Sequence, residues 1–148
     1  MSDYGDIAVR PAEAGDAEAI ATLCGQLGYP STAEQIERRL TAIADDPGAA
    51  ILVAGSGAHG VIAWVHVRTL HLLTREACAE IGGLVVDESR RGHGIGGRLM
   101  AAAAKWARGR GLDTLRLRSN VVRDDAHIFY RRQGFASSKT SLLFTKPL

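Results

Sequence analysis

A chain of 148 residues, 46% hydrophobic and 23% charged, with mean hydropathy near zero, has the size and composition of one soluble globular domain and excludes a fibrous or disordered protein. No apolar run approaches the roughly 18 residues that a membrane span needs, and the opening "MSDYGDIAVR" lacks the basic and apolar regions of a secretory signal. The formal charge of +2 hides a division: residues 1–86 carry five basic against eleven acidic side chains, and residues 87–132 carry eleven against five.

Such a division suits an anionic ligand beside the second half and a cationic one beside the first, although solvated helix faces produce it equally well. A cytoplasmic protein is expected, with neither membrane nor nucleic acid among its partners. Cys24 and Cys78 form no C-x-x-C pair and read as packed, reduced thiols. His66 and His71 are five apart, which on a strand sends them to opposite faces, so no metal site is expected.

In chain order, Ile7 to Arg10 reads as a short strand stopped by Pro11, and Asp16 as the N-cap of a helix reaching about Leu27. Thr32 and Gln35 form a capping box that opens a second helix, which ends before Pro47 and buries Ile36, Leu40 and Ile43. "AAILVAGSGAHGVIAWVHVRTL" reads as two long antiparallel strands around a glycine-rich hairpin, and "CAEIGGLVVDES" as a third. Gly82 and Gly83 inside that apolar strand mark a bulge or a close backbone approach.

A glycine-rich segment leads into a helix with Leu99, Ala103 and Trp106 on one face, stopped at Gly109 or Gly111. "DTLRLRSN" alternates as a half-buried strand, a short helix runs from near Asp124 to Gly134, and "SLLFT" reads as a last strand. The order βααβββαβαβ, without linkers or repeats, describes an α/β protein: one domain, residues 1–148, with a mixed, mostly antiparallel sheet and helices on both faces.

The segment "RRGHGIGGRL" contains a literal G-x-G-x-x-G at Gly92, Gly94 and Gly97. A dinucleotide-binding turn would place an acidic residue about 20 positions on, at the end of the next strand. Asp113 has the offset but begins its strand, and Asn120 stands at the far end. A phosphate loop ending in Gly-Lys-Ser/Thr is absent. Backbone amides at a helix start still make a diphosphate cradle, which glycines at 92, 94 and 96 leave approachable and Arg90, Arg91 and Arg98 surround with charge.

Shifted by two residues, the same segment spells Arg91-Gly92-His93-Gly94-Ile95-Gly96, which resembles the R-x-x-G-x-G acetyl-CoA loop of the GNAT acetyltransferases. A preceding strand "EIGGLVV", a following strand ending in Asn120, and "FYRRQGF" (Phe129, Tyr130, Gly134, Phe135) resemble that family too, over about residues 79 to 135. The resemblance implies a GNAT-like fold with a splayed parallel pair, Glu80 to Val86 beside Thr114 to Asn120, and acetyl-CoA as cosubstrate. It implies backbone contacts to pantetheine from Leu84, Val85 and Val86, an oxyanion-stabilising N–H at Val85 or Leu84, and Tyr130 as the acid that protonates the leaving thiolate.

Glu80, 14 residues before Gly94, has the spacing of the general-base glutamate of the histone-acetylating branch, and burial is expected to raise its pKa. His66, His71 and Asp125 are fallback bases. Asn120 either bonds pantetheine or substrate or caps the next helix; His127 has no assigned role. "SNVVRDDAHIFYRRQGF" and "FTKPL" are most similar to aminoalkylphosphonate N-acetyltransferases and less so to aminoglycoside 6′-N-acetyltransferases.

A phosphonate would call for cations among Arg68, Arg75, Arg123 and Lys139, whereas the acidic Glu34, Glu37, Asp45 and Asp46 suit a polycationic acceptor. The expected activity is acetyl transfer to a primary amine of a small molecule by direct attack in a ternary complex. The alternatives are a protein N-terminal or lysine acetyltransferase and a non-catalytic acetyl-CoA sensor. The exposed edge of a late strand offers a surface for a homodimer.

Overall fold

The structure is a computed structural model that describes residues 4–119 and 121–148, and the chain divides into two compact units after Leu117. The first holds a five-stranded sheet of β1 (Ala8–Pro11), β2 (Ala49–Ser56), β3 (Gly60–Leu72), β4 (Arg75–Val86) and β5 (Leu115–Leu117), ordered β1-β2-β3-β4-β5. The first four are antiparallel neighbours; β5 lies parallel to β4. Three helices, α1 (Ala17–Leu27), α2 (Ala33–Ala44) and α3 (Ile95–Gly109), belong to the same unit.

Local chemistry explains most boundaries. Pro11 closes β1 from within, which an edge strand tolerates because the missing N–H is not needed for a ladder. The Thr32 capping box forms as expected: Gln35 N donates to Thr32 Oγ1 at 3.1 Å and Thr32 N to Gln35 Oε1 at 3.0 Å. Asp16 occupies the N-cap position of α1 without capping it. Its carboxylate instead accepts two hydrogen bonds from Arg10, at 2.7 and 2.9 Å, and one from Glu13 N at 2.8 Å, tying β1 to the helix start.

Alternation along the central strands divides the core between the two faces of the sheet. On one face Val53, Trp64 and Val85 pack with Ile20, Leu23 and Cys24 of α1 and Ile36 of α2. Ala63 and Val65, the buried neighbours of Trp64, alternate to the other face, where α3 supplies Leu99, Met100 and Ala103. Cys24 and Cys78 are buried free thiols.

The ladder between β4 and β5 covers Ala79 to Ile81 only, whereas β4 continues to Val86. This short contact is the splayed parallel pair, and β5 is three residues long instead of the seven expected. Opposite, the β3–β4 register pairs Val67 with Ile81 and His66 with Gly83, so Gly82 is an inserted residue. Of the two alternatives that the paired glycines offered, a bulge or a close backbone approach, the register shows the bulge.

The second unit, Arg118–Leu148, contains α4 (Asp124–Arg132), closed at Gly134 (φ 93°) with Phe135 N donating to Tyr130 O at 3.0 Å. The last strand expected at "SLLFT" does not form: residues 136–148 have no regular secondary structure. Apolar alternation supplies side chains suited to a strand, but a strand exists only with a partner to complete its ladder.

Leu99 is fully buried at the centre of the α3 face. Leu99→Ala is expected to lower stability by about 3 kcal/mol, transfer and cavity terms together, read as a lower urea midpoint with an unchanged slope.

Candidate active site

The connection from β4 to α3 runs through a 3-10 turn at Glu88–Arg90 into Arg91-Gly92-His93-Gly94. Gly92 (φ 85°) and Gly94 (φ 79°) both take the left-handed conformation that side chains disfavour, and a Cβ on either would meet nothing within 4 Å. Gly94 is the N-cap of α3; no side chain caps the helix and no acidic residue stands in its first turn. Ile95 and Gly96 are buried and seat the helix start. The first amides of α3 therefore have neither an intrahelical partner nor a cap, and the helix dipole adds positive potential there. An anionic diphosphate fits such a place.

The neighbouring arginines are more committed than the sequence implies. Arg91 Nε donates to Val86 O at 3.1 Å, drawing the loop onto the end of β4. Arg90 Nη1 lies 2.7 Å from His59 Nδ1, and its Nε 3.6 Å from Asp87. Arg98 reaches the Ile7 carbonyl. Tyr4 packs its ring 4.6 Å from that of His93, so a residue near the N-terminus lies against the loop. No sequence motif links Tyr4 or His59 to that segment, because only the tertiary fold brings them there.

At the end of β4, Val85 is buried against the α1 and α2 core, and Leu84 and Val86 are half-buried. Beyond Ile81 no ladder to β5 is formed among the described residues, so the β5 side of Leu84 to Val86 carries no strand. An extended ligand could add its own amides along this edge.

Glu80 departs from expectation. It is 6% exposed, and its carboxylate is held from both sides: Arg68 Nη2 donates to Oε1 at 2.7 Å and Arg116 Nε to Oε2 at 2.7 Å. Burial pushes its pKa up, as anticipated, but the hydrogen bonds and charge of the two guanidiniums outweigh burial and hold the carboxyl below its ordinary value. The raised pKa expected of a proton acceptor is thus reversed. Arg116 was legible as an alternating strand cation and Arg68 as a candidate cation for a phosphonate, and their convergence on Glu80 depends on the registers Arg68↔Glu80 and Glu80↔Arg116.

Within the second unit, Tyr130 is half-buried, its ring 5.5 Å from Phe129 and 6.2 Å from Phe135 in edge-to-face geometry. Burial pushes its hydroxyl above the ordinary tyrosine pKa, partly opposed by Arg123, so the phenol stays protonated at neutral pH. Asn120 lies outside the described residues.

With this geometry in hand, comparison with known proteins defines the class. The model of the acetyltransferase (GNAT) family matches residues 17–135, and the chain belongs to that family. Members of that family use acetyl-CoA as acetyl donor. The aminoalkylphosphonate N-acetyltransferase of Salmonella typhimurium strain LT2 is 41% identical over 78 residues, 53% of this chain and 49% of that protein. The chain thus matches about half the length of that curated relative.

Among solved structures, a transcriptional regulator from Bacillus halodurans C-125 is 25% identical with a TM-score of 0.84, covering 95% of this chain and 99% of that one. Two others share the fold. An aminoglycoside 6′-N-acetyltransferase of Acinetobacter haemolyticus is 18% identical with a TM-score of 0.81, covering 95% and 99% of the two chains. An aminoglycoside N-acetyltransferase solved in complex with CoA is 15% identical with a TM-score of 0.85, covering both chains fully at 100%.

Glu80→Gln leaves two guanidiniums facing a neutral amide. The expected loss is about 2 kcal/mol at pH 7, less than the roughly 3–5 kcal/mol of a fully buried pair because Arg68 is half exposed. A carboxyl whose pKa is depressed on folding stabilises above its unfolded value of about 4.3 and ceases to do so as pH falls through the folded value. Urea titrations of both proteins at pH 7 and pH 3 should show the difference between them shrinking at the acid end.

Proposed function

We propose that this protein is an acetyl-CoA-dependent N-acetyltransferase that acetylates the primary amine of a small molecule by direct attack in a ternary complex. The observation that carries the reading is the uncapped start of α3 behind the left-handed Gly92 and Gly94. In this reading the segment Arg91, Gly92, His93, Gly94, Ile95 and Gly96 holds the coenzyme diphosphate with backbone amides. Leu84, Val85 and Val86 pair with pantetheine through the strand edge, and Asn120 adds an amide contact. Tyr130 is the proton donor to the departing thiolate, a role open to a phenol that is protonated at neutral pH and whose pKa burial raises further. Glu80 holds β3, β4 and β5 together as an ionised carboxylate and is not the base.

The likeness to an aminoalkylphosphonate N-acetyltransferase over 78 residues favours an acceptor carrying an anionic group beside its amine. Of the cations considered for that group, Arg68 is engaged with Glu80. Arg75, at the exposed start of β4, with Arg123 and Lys139 of the second unit, makes the remaining set. That one family model spans residues 17–135, across both units, supports reading residues 1–148 as a single acetyltransferase domain. A cytoplasmic homodimer completes the reading. Among the described residues no helix is long and apolar enough to cross a membrane.

Purified protein should release free thiol from acetyl-CoA in the presence of an aminoalkylphosphonate and not with lysine peptides; turnover of peptides alone would replace the small-molecule reading. Tyr130→Phe is expected to lower kcat by about 10² while leaving coenzyme affinity within twofold of about its starting value. Gly94→Ala forces a Cβ into the left-handed region at a cost of roughly 1–2 kcal/mol, so calorimetry should show CoA binding weakened about tenfold with kcat at saturation little changed.

A further inference from the structure

With Glu80 clamped, the nitrogen of the acceptor still has to lose a proton as it is acylated, and the bulge in β4 presents another group. His66 stands on β3 opposite Gly83, and the inserted Gly82 lets its imidazole lie directly over the β4 backbone. A Cβ on Gly82 would come within 2.8 Å of His66 Nδ1, and one on Gly83 within 2.7 Å of the Trp64 ring. The two glycines are therefore the clearance that allows two rings of β3 to cover β4 where its ladder to β5 has ended. Two residues before His66 on the same strand, the buried indole N–H of Trp64 has no acceptor among the described residues.

We propose, resting on the acetyltransferase reading above, that His66 is the general base for the acceptor amine. As the nitrogen lone pair forms the N–C bond to the thioester carbonyl, the proton made acidic on that nitrogen passes to the imidazole. The C–S bond breaks with its electron pair going to sulfur, and a proton is returned to the sulfur, so amine and thioester become amide and thiol.

The surroundings suit a group that must be unprotonated at rest. Burial first, then the charge of Arg68 two residues along β3, hold the imidazole below the ordinary histidine pKa, partly opposed by Asp46 from the α2–β2 connection. Glu80 accepts from both Arg68 and Arg116, so the clamp as a whole keeps one positive charge on the Arg68 side of His66. His66 is half-buried, which leaves it open to an acceptor.

The test is the pH dependence of kcat/KM by thiol release, for wild type, His66→Gln and Gly82→Ala. A base works only unprotonated, so wild-type activity should fall as pH drops through a midpoint below about 6.5. His66→Gln should lose that limb and about 10²-fold in kcat, with CoA affinity by calorimetry and the melting temperature near wild type. Gly82→Ala, which presses a methyl group against Nδ1, should shift the limb and lower kcat without abolishing it.

An active wild type whose His66→Gln variant stays within about threefold of it and keeps the acid limb overturns the assignment of His66 and leaves the acetyltransferase standing. So does a limb that disappears in Asp125→Asn instead. A wild type that releases no thiol with any amine overturns both.

Discussion

Three strands meet at one carboxylate. Arg68, Glu80 and Arg116 sit level with one another across β3, β4 and β5, and Glu80 accepts a charge-assisted bond from each side. Placing a carboxylate in a nearly dry position is costly, and two short guanidinium bonds offset that cost only while both registers are kept. The ladder of β5 is three residues long, so this crossed pair is a substantial part of what holds it parallel to β4. It also sets where pairing ends: one residue above the clamp lies Ile81, the last rung, and then Gly82, the inserted residue.

Past that level β4 is paired with β3 alone among the described residues. Its β3 side stays laddered to Val86, while among the described residues its β5 side carries no strand. Arg91 folds back to the Val86 carbonyl, and the uncapped amides of α3 follow within four residues. A strand edge with free amides and a helix start with free amides are thus placed in sequence, which suits a long ligand with an anionic end and an amide-rich arm. The burial of Ile95 and Leu99 on the sheet is what aims the helix start.

The opposed charges of the two halves of the chain lose part of their meaning once partners are known. Arg90, Arg98 and Arg116 of the basic half are engaged by His59 and Asp87, by the Ile7 carbonyl and by Glu80. Arg110 lies 4.0 Å over the Trp106 ring and donates to the Pro47 carbonyl at 3.0 Å. In the acidic half, Asp16 is consumed by Arg10. These groups are structural, and the positive potential at the loop comes more from backbone dipoles than a count of arginines suggests.

Signals confined to a few neighbouring residues were readable from the chain itself: the Thr32 capping box, the apolar stripe of α2, the long β2–β3 hairpin, the glycines before α3 and the bulge at Gly82 and Gly83. Each follows from the φ preference, capping chemistry or periodicity of adjacent residues, which folding leaves in place. Pairings across the chain were not readable. Whether Asp16 caps α1 or binds Arg10, whether burial or two guanidiniums governs Glu80, whether "SLLFT" finds a ladder, and which ring covers Gly82 all depend on residues far away in sequence. The chain alone determined the order of elements as far as α4 and the position of the glycine-rich turn before α3; only the packed sheet decided the ionisation of Glu80 and the placement of His66, because strand register brings together charges that no local pattern connects.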